Sequence, residues 1–504
     1  MFLLLTLGLS VPLIVGLVVV LAPLEALDVL LVTLFALNTL WVAAAAATAL
    51  VGLSAARDAR AVPMPAGWRP RDRTAVLFLI CGEEAGAVAQ RIAALDAELR
   101  RTGLDATTDL WLLSDTSAGN AGPEEEAIAH LVHAGTLKYR RRARNARRKP
   151  GNLAAWIERH GTDYESMLVM DADSAMTAER LRTLRFEMER NPSLGLLQSG
   201  IALRPGNSRL THLLRLSTRL TGPVFIRGLS RWSGDAGNYW GHNALIRIAA
   251  FRGAMCIPAL RGPAPYGGEF LSHDFIEAAW LVRAGWQVAI APEMRGSSEA
   301  GPDTISTFHR RDRRWCQGNL QHLRALFAHS LHPVSRIHLA CGIQSYLSSP
   351  IWLAIVLLFL LAGMAPGAVP ILSGALALLL VPKLAAVLGL WQRTRSRWRR
   401  RVYLRATGAE LVLSTLVSPL VMVRQTLAVL AVLAGRDCGW KRPASPMRRT
   451  APTGTLEACA GASLLTVALL GSDTAYQALW PTLIAGPLLA APWLMAWLDR
   501  SAVP

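Results

Sequence analysis

Two carboxylates stand one residue apart in LVMDADSAM, residues 168–176, directly after an apolar run. At a strand end, residues i and i+2 share a face. Asp171 and Asp173 can therefore converge on one ligand at the carboxyl edge of a sheet, where open α/β sheets bind theirs. Two hard oxygen donors suit Mg2+ or Mn2+ bridging phosphate oxygens. The same D-x-D can equally open a turn, so its surroundings decide. Asp115 closes a second apolar run, DLWLLSD, residues 109–115. Upstream of the pair lies YRRRARNARRKPGN, residues 139–152. Its Lys149-Pro150-Gly151-Asn152 forms a compact cationic turn ahead of a helix, while Arg140, Arg141 and Arg142 read as a solvated face or membrane contact. Downstream come YWGHNALIR (239–247), with His242, and FLSHDFIEAAW (270–280), with His273 and Asp274. Asp274 opens a helix, where an aspartate is ordinarily a cap. Last is HRRDRRWCQGNLQH, residues 309–322. An aromatic, Trp315, beside Arg313 and Arg314 suits a ring packed on a sugar or base with cations near a diphosphate.

These residues need elements to position them. TAVLFLI (74–80), DLWLLSD (109–115), SMLVMDAD (166–173), LGLLQSG (194–200) and WQVAIAP (286–292) read as strands. Residues 86–100 and 274–285 read as helices. Near-continuous apolar strands alternating with helices predict a mostly parallel α/β sheet with helices on both faces, here over residues 56–340.

The flanks are of another kind. The 504-residue chain combines a mean hydropathy of +0.31 with 53 Lys+Arg against 35 Asp+Glu, a net charge of +18. Arginine runs flank apolar segments, which favours a lipid bilayer over nucleic acid as the partner of this basic chain. The six cysteines are scattered without a C-x-x-C pair, which argues against a zinc cage or thiol redox motif and fits a reducing compartment. Residues 3–21 and 29–53 are each long enough to span, giving an N-terminal transmembrane hairpin over 1–55. The link between them holds Glu25 and Asp28, and Arg57 and Arg60 follow. The bias of Lys and Arg toward cytoplasmic loops then puts the link outside and the α/β domain in the cytoplasm.

Apolar segments return at 346–364, 368–390, 411–434, 456–470 and 478–498, a C-terminal bundle over 341–504. Arg393, Arg395, Arg397, Arg399, Arg400 and Arg401 precede the third of these; Arg436, Lys441, Arg442, Arg448 and Arg449 follow it. If both basic loops are cytoplasmic, 411–434 is not a simple crossing. It carries Ser418-Pro419 and Arg424-Gln425 mid-run, where proline breaks the ladder and charge is costly. We read it as an interfacial or re-entrant element, leaving six spans with both termini inside. Tryptophans near Trp352 and Trp391 read as interface-belt residues rather than sugar platforms.

Taken in order, Asp115, Asp171-Ala172-Asp173, His273-Asp274 and Arg314-Trp315 resemble a processive, membrane-embedded glycosyltransferase of family 2, whose pattern is D, D-x-D, a catalytic Asp in an E/H-D pair, then Q-x-x-R-W. SDT, RKPGN, YWGHNALIR, LSHDFIEAA and RDRRWCQGNLQH resemble the branch that builds osmoregulated periplasmic glucans, over about residues 71–440. The resemblance implies a GT-A-type domain between transmembrane helices of a bacterial inner membrane. It implies a UDP-glucose donor, an inverting transfer to a growing β-glucan with a 1,2-linked backbone, and export of the product. It implies Mg2+ or Mn2+ on Asp171 and Asp173, and Asp274 as general base with His273 tuning it. Substrate contacts would come from Asp115, Glu83, Lys149, Asn152, His242, Arg311, Arg314 and Trp315. Other glucan-synthesis proteins or acyl carrier protein are the implied partners. Larger homologues carry a long N-terminal extension not seen here, so no partner is expected there. Two positions depart from the pattern. The first strand closes on Leu79-Ile80-Cys81-Gly82-Glu83-Glu84 rather than P-x-Y-N-E-D, and Arg311 stands at the Gln of Q-x-x-R-W. The rival readings are another processive family-2 polysaccharide or glycolipid synthase, and a non-catalytic membrane protein with a degenerate transferase domain.

Overall fold

The computed structural model describes residues 1–55, 63–254, 257–362, 367–439, 453–470 and 480–502. Arg57, Arg60, Lys441, Arg442, Arg448 and Arg449, used above to orient the chain, lie outside the described residues.

Helices α1 (Phe2–Leu21) and α2 (Ala26–Ala55) open the chain as an apolar hairpin. The α/β region then runs β1 (Thr74–Ile80), α3 (Ala85–Thr102), β2 (Thr108–Ser114), α4 (Ala121–His133), β3 (Leu137–Arg141), α5 (Arg148–His160) and β4 (Ser166–Asp171). It continues with β5 (Ala175–Met176), α6 (Ala178–Arg190), β6 (Leu194–Ser199), β7 (Ala202–Leu203), α7 (Arg209–Ser233), β8 (Ala244–Arg247) and α8 (Ile248–Ala254). It closes with α9 (His273–Arg283), β9 (Gln287–Ala291), β10 (Ser297–Glu299) and α10 (Ile305–Gln321). Helices α11 (Pro333–Ala362), α12 (Ala368–Arg393), α13 (Arg397–Leu433), α14 (Thr455–Leu470), α15 (Thr482–Leu489) and α16 (Ala491–Asp499) follow.

Seven strands form one sheet in the order β3-β2-β1-β4-β8-β6-β9. All neighbours are parallel except β8, which runs antiparallel to β4 and β6. The apolar strands are buried on both faces because helices cover both. Val76, Phe78, Leu112 and Leu168 pack with α3, α4 and α6; Leu77, Leu113, Val169 and Ile246 pack with Trp156 of α5 and Leu281 of α9. The strand order reverses between β1 and β4, the switch point at which such sheets bind ligands beyond their carboxyl ends. A small sheet, β5-β10-β7, stands beside that edge.

The five anticipated strands lie within two residues of their expected bounds. Two more, β3 and β8, are short or charged and add to the sheet. Arg140, Arg141 and Arg142 correct the sequence reading. Rather than forming a solvated face, the first two belong to edge strand β3, and the third binds across to Asp115.

Among the described residues, five helices are long and apolar enough to cross a membrane: α1, α2, α11, α12 and α13; α15 and α16, bent by 58° to each other, could together make a sixth. Amphipathic α7 crosses α2 with direct backbone contact. A Cβ on Gly228 would lie 1.8 Å from the Thr48 carbonyl, and one on Gly52 would lie 1.9 Å from that of Val224, so only glycine permits this crossing. The Phe2 ring stacks on Trp232 of α7 at 4.4 Å. At the other end of the chain, Ser501 pairs with Ser208.

Helix α13 is continuous over 37 residues, and Arg397–Arg401 form its first turns rather than a loop. Near its start, Lys383 of α12 donates to Glu410 and Ser414, each at 2.7 Å. In mid-helix, Leu420 and Val423 share a core with Leu210 of α7 and Ile305 of α10, while Arg424 pairs with the buried Glu457 of α14. At its end Tyr266 donates to the Leu433 carbonyl at 2.7 Å. Much of this apolar helix thus packs against the α/β region. The two buried carboxylates, Glu410 of α13 and Glu457 of α14, each have a cationic partner, as burial of charge requires.

Candidate functional site

The carboxyl ends of β1, β2 and β4 open into a cavity of about 700 Å³. All twelve residues singled out above line it: Glu83, Asp115, Lys149, Asn152, Asp171, Asp173, His242, His273, Asp274, Arg311, Arg314 and Trp315.

One pole is built by strand ends. The carboxylate of Asp115, 5% exposed, accepts two bonds from Arg142, at 2.7 and 2.8 Å. The same guanidinium donates to the carbonyls of Ala146 and Arg148 at 3.0 and 3.1 Å. This clamp holds a tight segment in which Arg147 and Arg148 both have left-handed φ, 56° and 51°. The Lys149–Asn152 turn is the first turn of α5 rather than a loop ahead of it. Gly151 is required there, since a Cβ would sit 2.1 Å from the Ala146 carbonyl. Asn152 is buried and accepts from Arg140, whose guanidinium burial pushes down to about 10. Lys149 in turn reaches Asp171. Glu83 accepts from its own loop, the Cys81 N–H, at 2.5 Å.

Between the poles sits the carboxylate pair. Only Asp171 ends β4; Asp173 lies in the following turn, closed by the Ser174 N–H on the Asp171 carbonyl at 3.0 Å. Burial, then the charges of Asp171 and Glu299, push the Asp173 carboxyl up. His242 stands alongside. Its Nδ1 meets Ser174 Oγ at 2.9 Å, and its Nε2 lies 3.3 Å from Glu299. Burial opposes charge on this imidazole, but the Glu299 bond and the Asp171 charge outweigh it and raise the group to about 9. Gln198 of β6 fixes the backbone here, donating to the His242 carbonyl at 3.0 Å and accepting from the Trp240 N–H at 2.9 Å.

The far pole belongs to α9 and α10. Ser272 occupies the N-cap position of α9, so Asp274 is not the cap; it lies within the first turn, pointing into the cavity. Burial pushes its carboxyl up, against the nearby charge of His273. His273 Nδ1 bonds Glu277 at 3.0 Å, one helical turn on. Helix α10 carries Arg311, its guanidinium 4.3 Å from the Trp315 ring centre, and Arg314, which burial and then Arg311 push down. Gln321, the last residue of this helix, and His322, which follows it, grip the segment leading to Asp274. Gln321 accepts from the Leu271 N–H at 2.9 Å, and His322 Nε2 meets the Ser272 carbonyl at 2.8 Å. Helix α10 is itself tied to the membrane-type helices. Tyr346 of α11 donates to Asp312 at 3.2 Å, and Gln317 donates to Asp437, beyond α13, at 2.7 Å. The cavity continues onto α11 at Gly342, Ser345 and Tyr346.

A family model described as Glycosyl transferase family group 2 matches residues 167–366. A glucans biosynthesis glucosyltransferase H of Rhodopseudomonas palustris strain TIE-1 is 36% identical over 92% of this chain and 70% of its own length. That of Bradyrhizobium diazoefficiens is 38% identical over 82% of this chain and 60% of its own. The chain belongs to the glucans biosynthesis glucosyltransferase H family. The α/β region is accordingly a GT-A-type glycosyltransferase domain, and the protein is a glucosyltransferase of glucan synthesis. Among solved structures, a mannosyltransferase from Pyrobaculum calidifontis, in complex with GDP-Man and Mn2+, is similar over 72% of this chain and all of its own, at 17% identity and a TM-score of 0.44.

The cavity of this glucosyltransferase also contains groups that motif reading missed. Glu299, on the three-residue β10, faces His242 and Asp173. Arg142 commits both oxygens of Asp115. Gln317 and Asp312 anchor α10. Only Arg142 had a signal available: a lone strand-end aspartate needs a cation, and arginines stand nearby in the chain.

Proposed function

We propose that the protein transfers glucose from UDP-glucose, with inversion, to the end of a growing β-glucan on the cytoplasmic side of a bacterial inner membrane, and passes the product toward α11. The observation that carries this reading is the convergence of Asp171, Asp173, Lys149, Arg314 and Asp274 on one cavity that runs from the sheet edge to a membrane-type helix. Its volume is in the range of sites for compact ligands, roughly 300–1,000 Å³.

In this reading the uridine end lies at the β1–β2 edge near Asp115 and Glu83, and the diphosphate lies between Lys149 and Arg314. Asp171 and Asp173 fit a divalent cation: they are two hard oxygen donors, and the repulsion that helps raise Asp173 is what a cation relieves. Among the described residues no group of three or more His, Cys, Asp or Glu side chains forms a closed cage, so water and phosphate oxygens would complete the set. Bound there, Mg2+ or Mn2+ would supply Lewis-acid stabilisation of the leaving diphosphate. Asp274 takes the proton of the acceptor hydroxyl as its oxygen attacks the anomeric carbon, and UDP departs from the opposite face. An α-linked donor thereby gives a β-linkage. The buried, raised carboxyl of Asp274 is a stronger base than an exposed one. Trp315 and Arg311 cover the acceptor end and exclude water that would hydrolyse the donor.

For the helical part we propose three hairpins, α1–α2, α11–α12 and α14–α15/α16, with both termini cytoplasmic and α13 lying beneath the catalytic domain. The test is incorporation of radiolabelled glucose from UDP-glucose by purified protein in vesicles, followed by linkage analysis. A β-linked glucan made only with the wild-type cavity is expected. Free glucose alone, or no turnover, contradicts the proposal.

A further inference from the structure

The turn between α12 and α13 lies away from the cavity and has a chemistry of its own. Between positions 391 and 409 stand seven arginines and no acidic residue. Six of the seven are exposed, the exception being Arg400. Arg400 shapes the turn: its guanidinium lies 4.5 Å from the Trp391 ring centre and donates to the Thr394 carbonyl at 2.7 Å. Among the described residues no carboxylate pairs with any of these arginines. A further cation, Arg227 of α7, lies close by; burial and then the charge of Arg393 push its guanidinium down.

Charge alone would suit any anion. The neighbouring apolar surface narrows the choice. On α12, Leu376, Leu380, Leu384 and Leu388 recur at four-residue spacing and are 55%, 39%, 62% and 47% exposed. Such spacing makes one stripe along a helix, and this stripe leads up to the exposed Trp391 and the arginines. On α13, Trp398 is 71% exposed, with Val402 and Val412 exposed on the turns after it. An acidic protein, a nucleic acid or free phosphate would engage the cations and leave these stripes bare. A molecule with an anionic head and long apolar tails satisfies both.

We propose that the α12–α13 turn binds anionic phospholipid, its headgroup among the arginines and its acyl chains along the leucine stripe of α12. The inference relies on α12 crossing the bilayer but not on the sugar chemistry, and its test reads lipid rather than transfer. Either reading can therefore fail alone.

The full chain is placed in nanodiscs of phosphatidylcholine containing a minor fraction of phosphatidylglycerol with the same acyl chains, and lipid retained on release is measured by native mass spectrometry. Phosphatidylglycerol should be enriched well above its share. Juxtamembrane cations contribute on the order of fivefold each, so the variant Arg395→Gln, Arg397→Gln, Arg399→Gln, Arg401→Gln should lose the enrichment, and Trp398→Ala should weaken it only partly. Glycerol phosphate, the soluble headgroup, should not displace the lipid. Equal retention of both lipids by the wild type overturns the proposal whether or not the variants fold. Displacement by glycerol phosphate also overturns it, by reducing the site to one for free phosphate.

Discussion

The two poles of the cavity are held in different ways. At the strand-end pole the ties lie within the α/β domain: Asp115 to Arg142 and Asn152 to Arg140, with Lys149 reaching Asp171 beside them. At the helix pole, α10 is answered from outside it, by Tyr346 of α11 and by Asp437 after α13. Sheet register fixes the first pole, and ties to the membrane-type helices hold the second. In the proposed reaction this division separates a donor site, which must be preformed, from an acceptor site that must stay aligned with a route through the helices.

Asp274 aside, the largest effect on transfer should come at the junction of the poles. Asp173→Ala removes one preorganised electrostatic group and should lower transfer by about 10²–10³-fold, with a parallel loss on chelation and no change in membrane insertion. Full activity after both treatments would reduce the D-x-D to a turn.

A more local effect, on folding stability rather than on transfer, separates the strand-end pole from the rest. Arg142→Met leaves Asp115 buried without its cation, which costs about 3–5 kcal/mol. The double variant Arg142→Met, Asp115→Asn should melt nearer the wild type in thermal unfolding, because neither half then buries a lone charge. A double variant whose loss equals the sum of the two single losses would mean that the pair is not a unit.

That pair also illustrates what could be read from the sequence. The carboxylates that follow apolar runs were legible, as were the strands themselves, because burial on both faces leaves a continuous apolar signature. Arg142 was not. It meets Asp115 only because edge strand β3 aligns Arg141 with Ser114 of β2, and LKYRR carries too much charge to read as a strand. Glu299 was hidden for a related reason. Its strand is three residues long, and its partners β5 and β7 are distant in sequence. The start of α13 was misread because arginines signal a loop by charge yet propagate a helix well.

Asp274 aside, the smallest effect is expected at the helix pole. Gln317→Leu breaks the tie from α10 to Asp437, a hydrogen bond with a net contribution of about 0.5–1.5 kcal/mol. UDP affinity should be unchanged and turnover should fall by no more than about tenfold. Weakened UDP binding with intact turnover would mean that the two poles are not separately held.

The central claim is that Asp274 is the base and not a structural group. Asp274→Asn keeps the size of the side chain but cannot take a proton. The decisive measurement is glucan synthesis against pH in wild type and variant, with UDP affinity measured on the same samples. The wild-type rate should rise with pH through the carboxyl of Asp274, which burial holds above the ordinary aspartate range. The variant should bind UDP normally, lose that rise, and turn over about 10²–10⁴-fold more slowly. A variant retaining more than about a tenth of wild-type turnover, with the same pH profile, would contradict the assignment.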